Sequence, residues 1–232
     1  MLRVGLTGGL GSGKTTVGQI FHALGAYVVS ADALGRELMS PGKTAYRAIV
    51  EHFGTGVVRA DGALDRGLLA DLAFRHNRVA ELNIIVHPPV VAAQQQWADA
   101  VFAKDPHAVA VVESALIFEA DQQGSAPGWR QRFDRIILVV APTELRITRY
   151  VDRMEHFLDH SGNLSNLPPR EELEADARRR VAAQMLDSEK IPFADYVIDN
   201  GGSIKATRVE VERVYAELER ASRSRTAKSV KA

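Results

Sequence analysis

A glycine-rich stretch near the beginning of the sequence has the residue types and spacing of a phosphate-binding loop. Residues 8–15 read Gly-Gly-Leu-Gly-Ser-Gly-Lys-Thr and fit the pattern G-x-x-x-x-G-K-[ST] without a mismatch. Glycines let the backbone bend and bring its N–H groups close to phosphate oxygens. Lys14 supplies a mobile cation for the β- and γ-phosphates, and Thr15 offers a hydroxyl to Mg²⁺. A turn without a ligand would leave four glycines in seven residues unexplained, so the stretch predicts a nucleoside triphosphate site.

The carboxylate of Asp32 is the second candidate for chemistry. It follows Ser30-Ala31, at the end of the second apolar run of the sequence. An acid at this point can reach a substrate hydroxyl beside the γ-phosphate, where it could accept the proton or position the hydroxyl. Alternatively, Asp32 caps the helix that follows. Position alone does not decide between the two interpretations.

Alternating strands and helices position these residues. Five short apolar runs have the length of buried strands: residues 2–7, 26–30, 108–112, 135–140 and 196–198. Apolar residues recur at helical spacing directly after the glycine-rich stretch and in four later segments: residues 33–39, the segment that begins at Thr143, residues 170–186, and the segment after Ser203. Ser203 can cap the last of these helices. The alternation predicts an α/β fold with a parallel sheet covered on both faces, whose ligands bind beyond the carboxyl ends of the strands.

Three segments depart from this alternation. Residues 44–104 are helical and poor in strands, with one helical run before His87-Pro88-Pro89 and another after it, and we interpret them as an insertion between two strands. Residues 156–169 are rich in Gly, Asn, Ser and Pro, which predicts a polar loop. Residues 222–232 form a basic tail that we expect to be disordered.

Composition excludes several classes of protein. The 232 residues include 29 Lys and Arg against 29 Asp and Glu, so no global basic field attracts nucleic acid or an anionic membrane. The absence of cysteine excludes disulfide scaffolds, Cys-ligated metals and thiol nucleophiles. The sequence has no run of 18 apolar residues and no leader pattern at its start, so we expect a cytoplasmic protein without a membrane or nucleic-acid partner. It does not specify an oligomeric state.

A set of spaced motifs resembles the dephospho-CoA kinase family over residues 2–218. The motifs are the glycine-rich stretch, Asp32, Arg36-Glu-Leu38, Pro41-Gly42, Ile49–Gly54, Asp61–Arg66, His87-Pro88, Leu116–Glu119, Ala183-Gln184 and Val197–Asn200. The resemblance implies transfer of the γ-phosphoryl of ATP, with Mg²⁺, to the ribose 3′-hydroxyl of dephospho-CoA, the last step of CoA synthesis. It also implies a three-layer P-loop kinase fold, similar to adenylate kinase, with a five-stranded parallel sheet.

The resemblance divides the chain into regions. The nucleotide-binding core would comprise residues 1–43, 105–149 and 184–221. The helical CoA-binding region would be residues 44–104, and the lid residues 150–183.

The resemblance also assigns roles to residues. The expected ATP-binding residues are Gly9, Gly11, Ser12, Gly13, Lys14, Thr15, Thr16 and Asn200. The expected catalytic residues are Lys14, Asp32 and the lid arginines Arg149, Arg153 and Arg180. Asp32, Arg36 and His87 would contact the acceptor. Thr15 would hold Mg²⁺, and Glu113 either assists through water or is only a carboxylate at a strand end.

Some features depart from the family or allow another function. Relatives often carry Asp and Pro at the positions of Glu113 and Ala115, and residues 156–169 resemble an insertion into the lid. Another P-loop kinase, acting on a nucleoside or nucleotide, would use the same loop and the same acid. A nucleotide switch is the alternative from a different class, although the Asn-Lys-x-Asp motif of guanine-specific switches does not occur.

Overall fold

A five-stranded parallel sheet forms the centre of the computed structural model, which describes residues 1–74, 78–160 and 168–229. The strands lie in the order β2-β3-β1-β4-β5. Their bounds are β1 (Leu2–Thr7), β2 (Tyr27–Ser30), β3 (Val109–Glu113), β4 (Arg135–Val140) and β5 (Tyr196–Asp199). The sheet and its five strands confirm the predicted α/β architecture, with each strand within one residue of its predicted bounds.

Helices cover both faces of the sheet and produce three layers. Val111 and Val112 are neighbours in β3 and point to opposite faces, because side chains alternate along a strand. Val111 belongs to a buried cluster with residues of α1 (Lys14–Ala23) and α11 (Ile204–Ser229). Val112 belongs to a second cluster that includes residues from three other helices. These are α2 (Ala31–Leu38), α5 (Val79–Lys104) and α6 (Ile117–Gln122).

The predicted helical region between β2 and β3 is helical and has a small core of its own. It contains α3 (Thr44–Phe53), a 3₁₀ turn (Thr55–Val57), α4 (Arg66–Phe74) and α5. The Ile49, Val57 and Leu69 side chains are buried together. The prediction that prolines divide two helical runs is wrong, because α5 continues through Pro88 and Pro89. Its contacts with α2, α3 and α4 offset the hydrogen bonds that proline removes.

The expected lid is built around two packed helices, α8 (Thr143–His160) and α9 (Arg170–Ala182). Val151 and Ala177 are fully buried between them. Residues 156–160, predicted to begin a polar loop, instead form the last turn of α8, since the helix continues beyond the start of the polar composition. Residues 161–167 of that prediction lie outside the described part of the chain.

The last helix is longer than expected, so the prediction of a disordered tail from residue 222 is wrong for residues 222–229. α11 continues to Ser229. Ser222 is buried and its hydroxyl donates a hydrogen bond of 2.7 Å to the carbonyl of His107, which ties this part of the helix to the core. Residues 230–232 lie outside the described part of the chain. None of the described helices has the combination of length and apolar character that a membrane span requires.

Candidate active site

The glycine-rich stretch, residues 8–15, connects β1 to α1, as predicted. We call it the phosphate loop. Gly11 and Gly13 have φ angles of +71° and +89°, which favour glycine. A Cβ atom on Gly13 would overlap the side-chain nitrogen of Asn200, and one on Gly11 would overlap the backbone carbonyl of Arg146. Both glycines are therefore required by close approach of the neighbouring residues as well as by conformation.

Lys14 begins α1 and lies folded over the phosphate loop. Its ammonium donates hydrogen bonds of 2.8 and 3.1 Å to the carbonyls of Gly8 and Gly9. Burial lowers the pKa of Lys14 to about 8, while the charges of Glu113 and Asp32 oppose that shift. The loop thus contains a desolvated cation, with two carboxylates close enough to act on it.

The Thr15 hydroxyl lies beside Glu113, at the carboxyl end of β3. It donates a hydrogen bond of 2.7 Å to Oε1 of Glu113. A hydroxyl and a carboxylate are oxygen donors of the kind that Mg²⁺ prefers, so the residue types fit the ion. Thr16, the other threonine expected at ATP, lies in the first turn of α1 and is partly buried. The Ser12 hydroxyl is buried and has no hydrogen-bond partner within the described residues.

Asn200 holds the phosphate loop through a side-chain hydrogen bond. It follows β5, and its side-chain nitrogen donates a hydrogen bond of 2.8 Å to the carbonyl of Ser12. Its side-chain oxygen accepts one of 2.9 Å from Thr207. Only 5% of Asn200 is exposed. The amide of Asn200 therefore positions the phosphate loop, and the expectation that Asn200 also contacts ATP stays a prediction.

Arg149 reaches the same place from α8. Its Nη2 donates a hydrogen bond of 2.9 Å to the backbone carbonyl of Asn200. Its Nη1 is buried without a hydrogen-bond partner among the described residues, and lies 3.7 Å from where a Cβ of Gly13 would be. This predicted lid arginine thus lies directly beside the phosphate loop.

Two supporting residues were not assigned a role from the sequence. Arg146 is 6% exposed and donates a hydrogen bond of 2.9 Å from Nε to the carbonyl of Leu10. Gln184 accepts a hydrogen bond of 2.8 Å from the backbone N–H of Leu10. Arg146 also forms an ion pair of 3.3 Å with Asp187, in α10 (Asp187–Lys190). Gln184 belongs to the motif Ala183-Gln184 that resembles the family, whereas Arg146 carried no signal in the sequence.

A cavity of about 470 Å³ lies between α2, α5 and α6, near the end of β3. We call it the acceptor cavity. The three residues expected to contact the acceptor, Asp32, Arg36 and His87, all line it. Gln94, Arg132 and Gln184 also line it and were not predicted to do so. The structure therefore brings the predicted acceptor residues together.

Asp32 is not the cap of the helix that follows it. Ser30 is the N-cap of α2, and its hydroxyl accepts a hydrogen bond of 3.3 Å from the backbone N–H of Ala33. Asp32 lies in the first turn, lines the acceptor cavity and acts electrostatically on Lys14. Asp32 therefore borders the acceptor cavity and is close enough to Lys14 of the phosphate loop for its charge to act there.

His87 is held by a hydrogen bond at the wall of the acceptor cavity. Its Nδ1 lies 2.8 Å from the hydroxyl of Ser125. Burial is the main cause that lowers the pKa of His87, and the charge of Arg132 lowers it further. The imidazole is therefore neutral at pH 7, which agrees with a binding role and argues against a general acid.

The other two predicted arginines lie on α8 and α9, in the expected lid. Arg180 donates a hydrogen bond of 2.6 Å from Nε to Asp176, within α9. The guanidinium carbons of Arg153 and Arg180 lie 5.7 and 5.9 Å from the centroid of the Tyr150 ring. Both are exposed. The contact of Arg153 lies within α8, whereas Arg180 contacts Asp176 in its own helix and Tyr150 in α8.

Comparison with known proteins agrees with this geometry. Residues 2–206 match the family model for dephospho-CoA kinase. The chain is 35% identical to dephospho-CoA kinase of Moorella thermoacetica, covering 95% of this chain and 93% of that one. It is 37% identical to that of Corynebacterium diphtheriae, covering 93% and 94%. The solved dephospho-CoA kinase of Campylobacter jejuni has the same fold, with a TM-score of 0.64, 22% identity and coverage of 94% and 98%. From the family match and these relatives, the chain belongs to the dephospho-CoA kinase family.

Proposed function

We propose that this kinase transfers the γ-phosphoryl group of ATP to the ribose 3′-hydroxyl of dephospho-CoA. The observation that carries the proposal is the position of Asp32, which lines the acceptor cavity and also acts on Lys14 of the phosphate loop. A hydroxyl bound next to Asp32 would meet a phosphate bound next to Lys14. Phosphoryl transfer depends on such in-line positioning more than on covalent chemistry.

Lys14 and Arg149 are the proposed cations on the donor side. Lys14 would exchange its hydrogen bonds with the carbonyls of Gly8 and Gly9 for hydrogen bonds with phosphate oxygens. The negative charge of the phosphates would favour the ammonium form of Lys14, which burial disfavours. The buried Nη1 of Arg149 is a free donor next to the loop within the described residues. Arginine holds two phosphate oxygens in its planar fork and stays charged. The backbone N–H groups of Gly9, Gly11, Ser12 and Gly13 would complete the cradle.

Thr15 and Glu113 are the proposed holders of Mg²⁺, with Glu113 acting through water. Bound Mg²⁺ supplies positive charge that neutralises the β- and γ-phosphate oxygens. The hydrogen bond between the two side chains keeps both oxygens at the entrance to α1.

Asp32 is the proposed acceptor or positioner of the hydroxyl proton. Arg153 and Arg180 are proposed to reach the phosphates when the lid closes, which also excludes water and so suppresses hydrolysis of ATP. Arg36 and His87 are proposed to bind the rest of the acceptor, because both line its cavity. We place the reaction in the cytoplasm, with a small molecule as acceptor.

Mass analysis of the product after incubation with ATP, Mg²⁺ and dephospho-CoA tests the proposal directly. Asp32→Asn should lower kcat by roughly 10² to 10⁴-fold, as expected for loss of a general base, while the Kd for ATP stays near the wild-type value. Ser30→Ala is the matched control, because it removes the cap of the same helix and leaves the carboxylate in place.

Two results would contradict the proposal. Phosphorylation of a nucleoside monophosphate with none of dephospho-CoA would assign the chain to another acceptor. Equal loss of transfer in the Ser30→Ala and Asp32→Asn variants would assign Asp32 a structural role.

A further inference from the structure

The wall of the acceptor cavity carries a cation that the proposed reaction does not use. Arg132 ends α7 (Trp129–Arg132), is partly buried, and lines this cavity. Its Nη2 donates a hydrogen bond of 3.0 Å to the carbonyl of Ala126. Its Nε is fully buried and has no hydrogen-bond partner within the described residues. The guanidinium thus has an unused donor at Nε, the atom of the group that is shielded from water.

The charge of Arg132 also lacks a carboxylate partner. Over the described ranges, no Asp or Glu oxygen lies within the 4.0 Å of an ion pair with it, whereas Arg146, Arg170 and Arg178 all have such partners. Asp121 acts on it only at a distance, and its Oδ1 accepts a hydrogen bond of 2.6 Å from the backbone N–H of Gly128. Burial of an unpaired charge is unfavourable. An anionic ligand would remove that penalty.

The neighbouring His87 does not supply the missing charge. The Ser125 hydroxyl donates its proton to the carbonyl of Ala120, at 3.3 Å. It must therefore accept the bond from Nδ1–H of His87, which leaves Nε2 as an acceptor rather than a second cation. Arg132 and a neutral imidazole thus form one end of the binding surface, with a single positive charge.

Arg36 is the other cation of the acceptor cavity, and it differs from Arg132 in exposure. Arg36 is exposed on α2, so water solvates its charge whether or not a ligand is bound. Arg132 is partly buried, with a donor removed from water. The need for an anion is therefore specific to Arg132.

We propose that Arg132 binds the diphosphate of the acceptor and so selects acceptors that carry one. This inference rests on the proposed function, in which the 3′-hydroxyl lies at Asp32. The diphosphate is joined to the 5′ position of the same ribose, so it must lie a short distance from Asp32 within the same cavity. His87 to Gln94 on the α5 wall span two turns, about 10 Å, which is room for a ribose and its diphosphate. Arginine is the side chain best matched to paired phosphate oxygens.

The test measures binding of dephospho-CoA by calorimetry, with the phosphate loop saturated by a non-hydrolysable ATP analogue and Mg²⁺. Arg132→Gln should raise the Kd for dephospho-CoA by roughly tenfold to 100-fold, the range for a hydrogen bond to a charged group. Arg132→Lys should recover part of the loss. Arg130→Gln is the matched control, because Arg130 is two positions away, exposed, and stacked over Trp129 at 4.3 Å. Its Kd should equal that of the wild type.

A second measurement separates binding from a structural role. The Kd for dephospho-CoA should depend less on salt in Arg132→Gln than in the wild type, because one charge–charge contact is gone. The Kd for the ATP analogue should not change. A loss smaller than tenfold, an equal weakening of the ATP analogue, or an equal loss in Arg130→Gln would overturn the inference. Binding is measured without turnover, so failure of transfer to dephospho-CoA would contradict the proposed function and leave this result standing.

Discussion

Adding one methyl group at Gly11 tests how tightly the phosphate loop is held. A Cβ at this position would overlap the backbone carbonyl oxygen of Arg146 and lie 2.8 Å from its carbonyl carbon. Both atoms belong to the main chain of α8, so no side-chain rotation relieves the contact. Ordinary carbon–carbon contacts are 3.5–4.0 Å, so the loop or the helix must move by about 1 Å.

Two effects contribute to the expected change in Gly11→Ala. The φ angle of +71° costs an alanine about 1 kcal/mol, and overpacking adds about 1–3 kcal/mol to the loss in the free energy of unfolding. Gly42→Ala isolates the first effect, because Gly42 has a φ angle of +79° and no atom within 4 Å of its added Cβ. A displacement of the loop by about 1 Å should also reduce phosphoryl transfer on the order of 10²-fold.

Urea denaturation, the Kd for ATP and the transfer rate are measured for both variants. We expect Gly42→Ala to lose about 1 kcal/mol of stability and to keep wild-type transfer. Gly11→Ala should lose more stability and most of its transfer activity. If Gly11→Ala binds ATP and transfers phosphate as well as Gly42→Ala does, the loop is not held against α8 and the reasoning is refuted.

Three further predictions concern stability and charge. Lys190 is fully buried 2.7 Å from Glu119, so Lys190→Met should lower the free energy of unfolding in urea by about 3–5 kcal/mol, and adding Glu119→Gln should restore part of it. Burial lowers the pKa of Lys14 to about 8, so its ammonium loses its proton as the pH rises through 8. The Kd for metal-free ATP, measured in EDTA, should therefore rise by up to about tenfold per pH unit above pH 8. A Kd that does not change with pH would contradict this prediction. Asn200→Ala breaks two buried hydrogen bonds and should lower the free energy of unfolding by about 2–3 kcal/mol, whereas a loss below about 1 kcal/mol would show that the amide does not hold the loop.

The sheet was predictable because each strand is a short apolar run, and the three central strands, β1, β3 and β4, are mostly buried. β4 has the predicted bounds, residues 135–140, and four of its residues are buried. The prolines of α5 misled the prediction, since the backbone penalty they carry is local, whereas the packing that offsets it comes from three other helices. The end of α8 was misjudged for the related reason that a helix held by packing continues into polar sequence.

The candidate site was predictable where its residues belong to one continuous motif. The phosphate loop is such a motif, and its spacing alone indicates its chemistry. Arg146 and Gln184 hold the same loop from positions 136 and 174 residues away from Leu10, so no local pattern indicates them. Arg132 was missed because a charge near a turn resembles a solvated surface residue until its burial is known.

The phosphate loop and the acceptor cavity are built by different parts of the chain, and both lie at the carboxyl edge of the sheet. The phosphate loop is supported by side chains that follow β4 and β5, whereas the walls of the acceptor cavity come from the segments that follow β2 and β3. Gln184 belongs to both, since it lines the cavity and holds Leu10 of the loop. A ligand that displaces the Gln184 amide from the cavity side would therefore change the support of the loop as well. Asp32 also lines the cavity, but within the described chain it forms no hydrogen bond to the phosphate loop and acts on Lys14 through its charge.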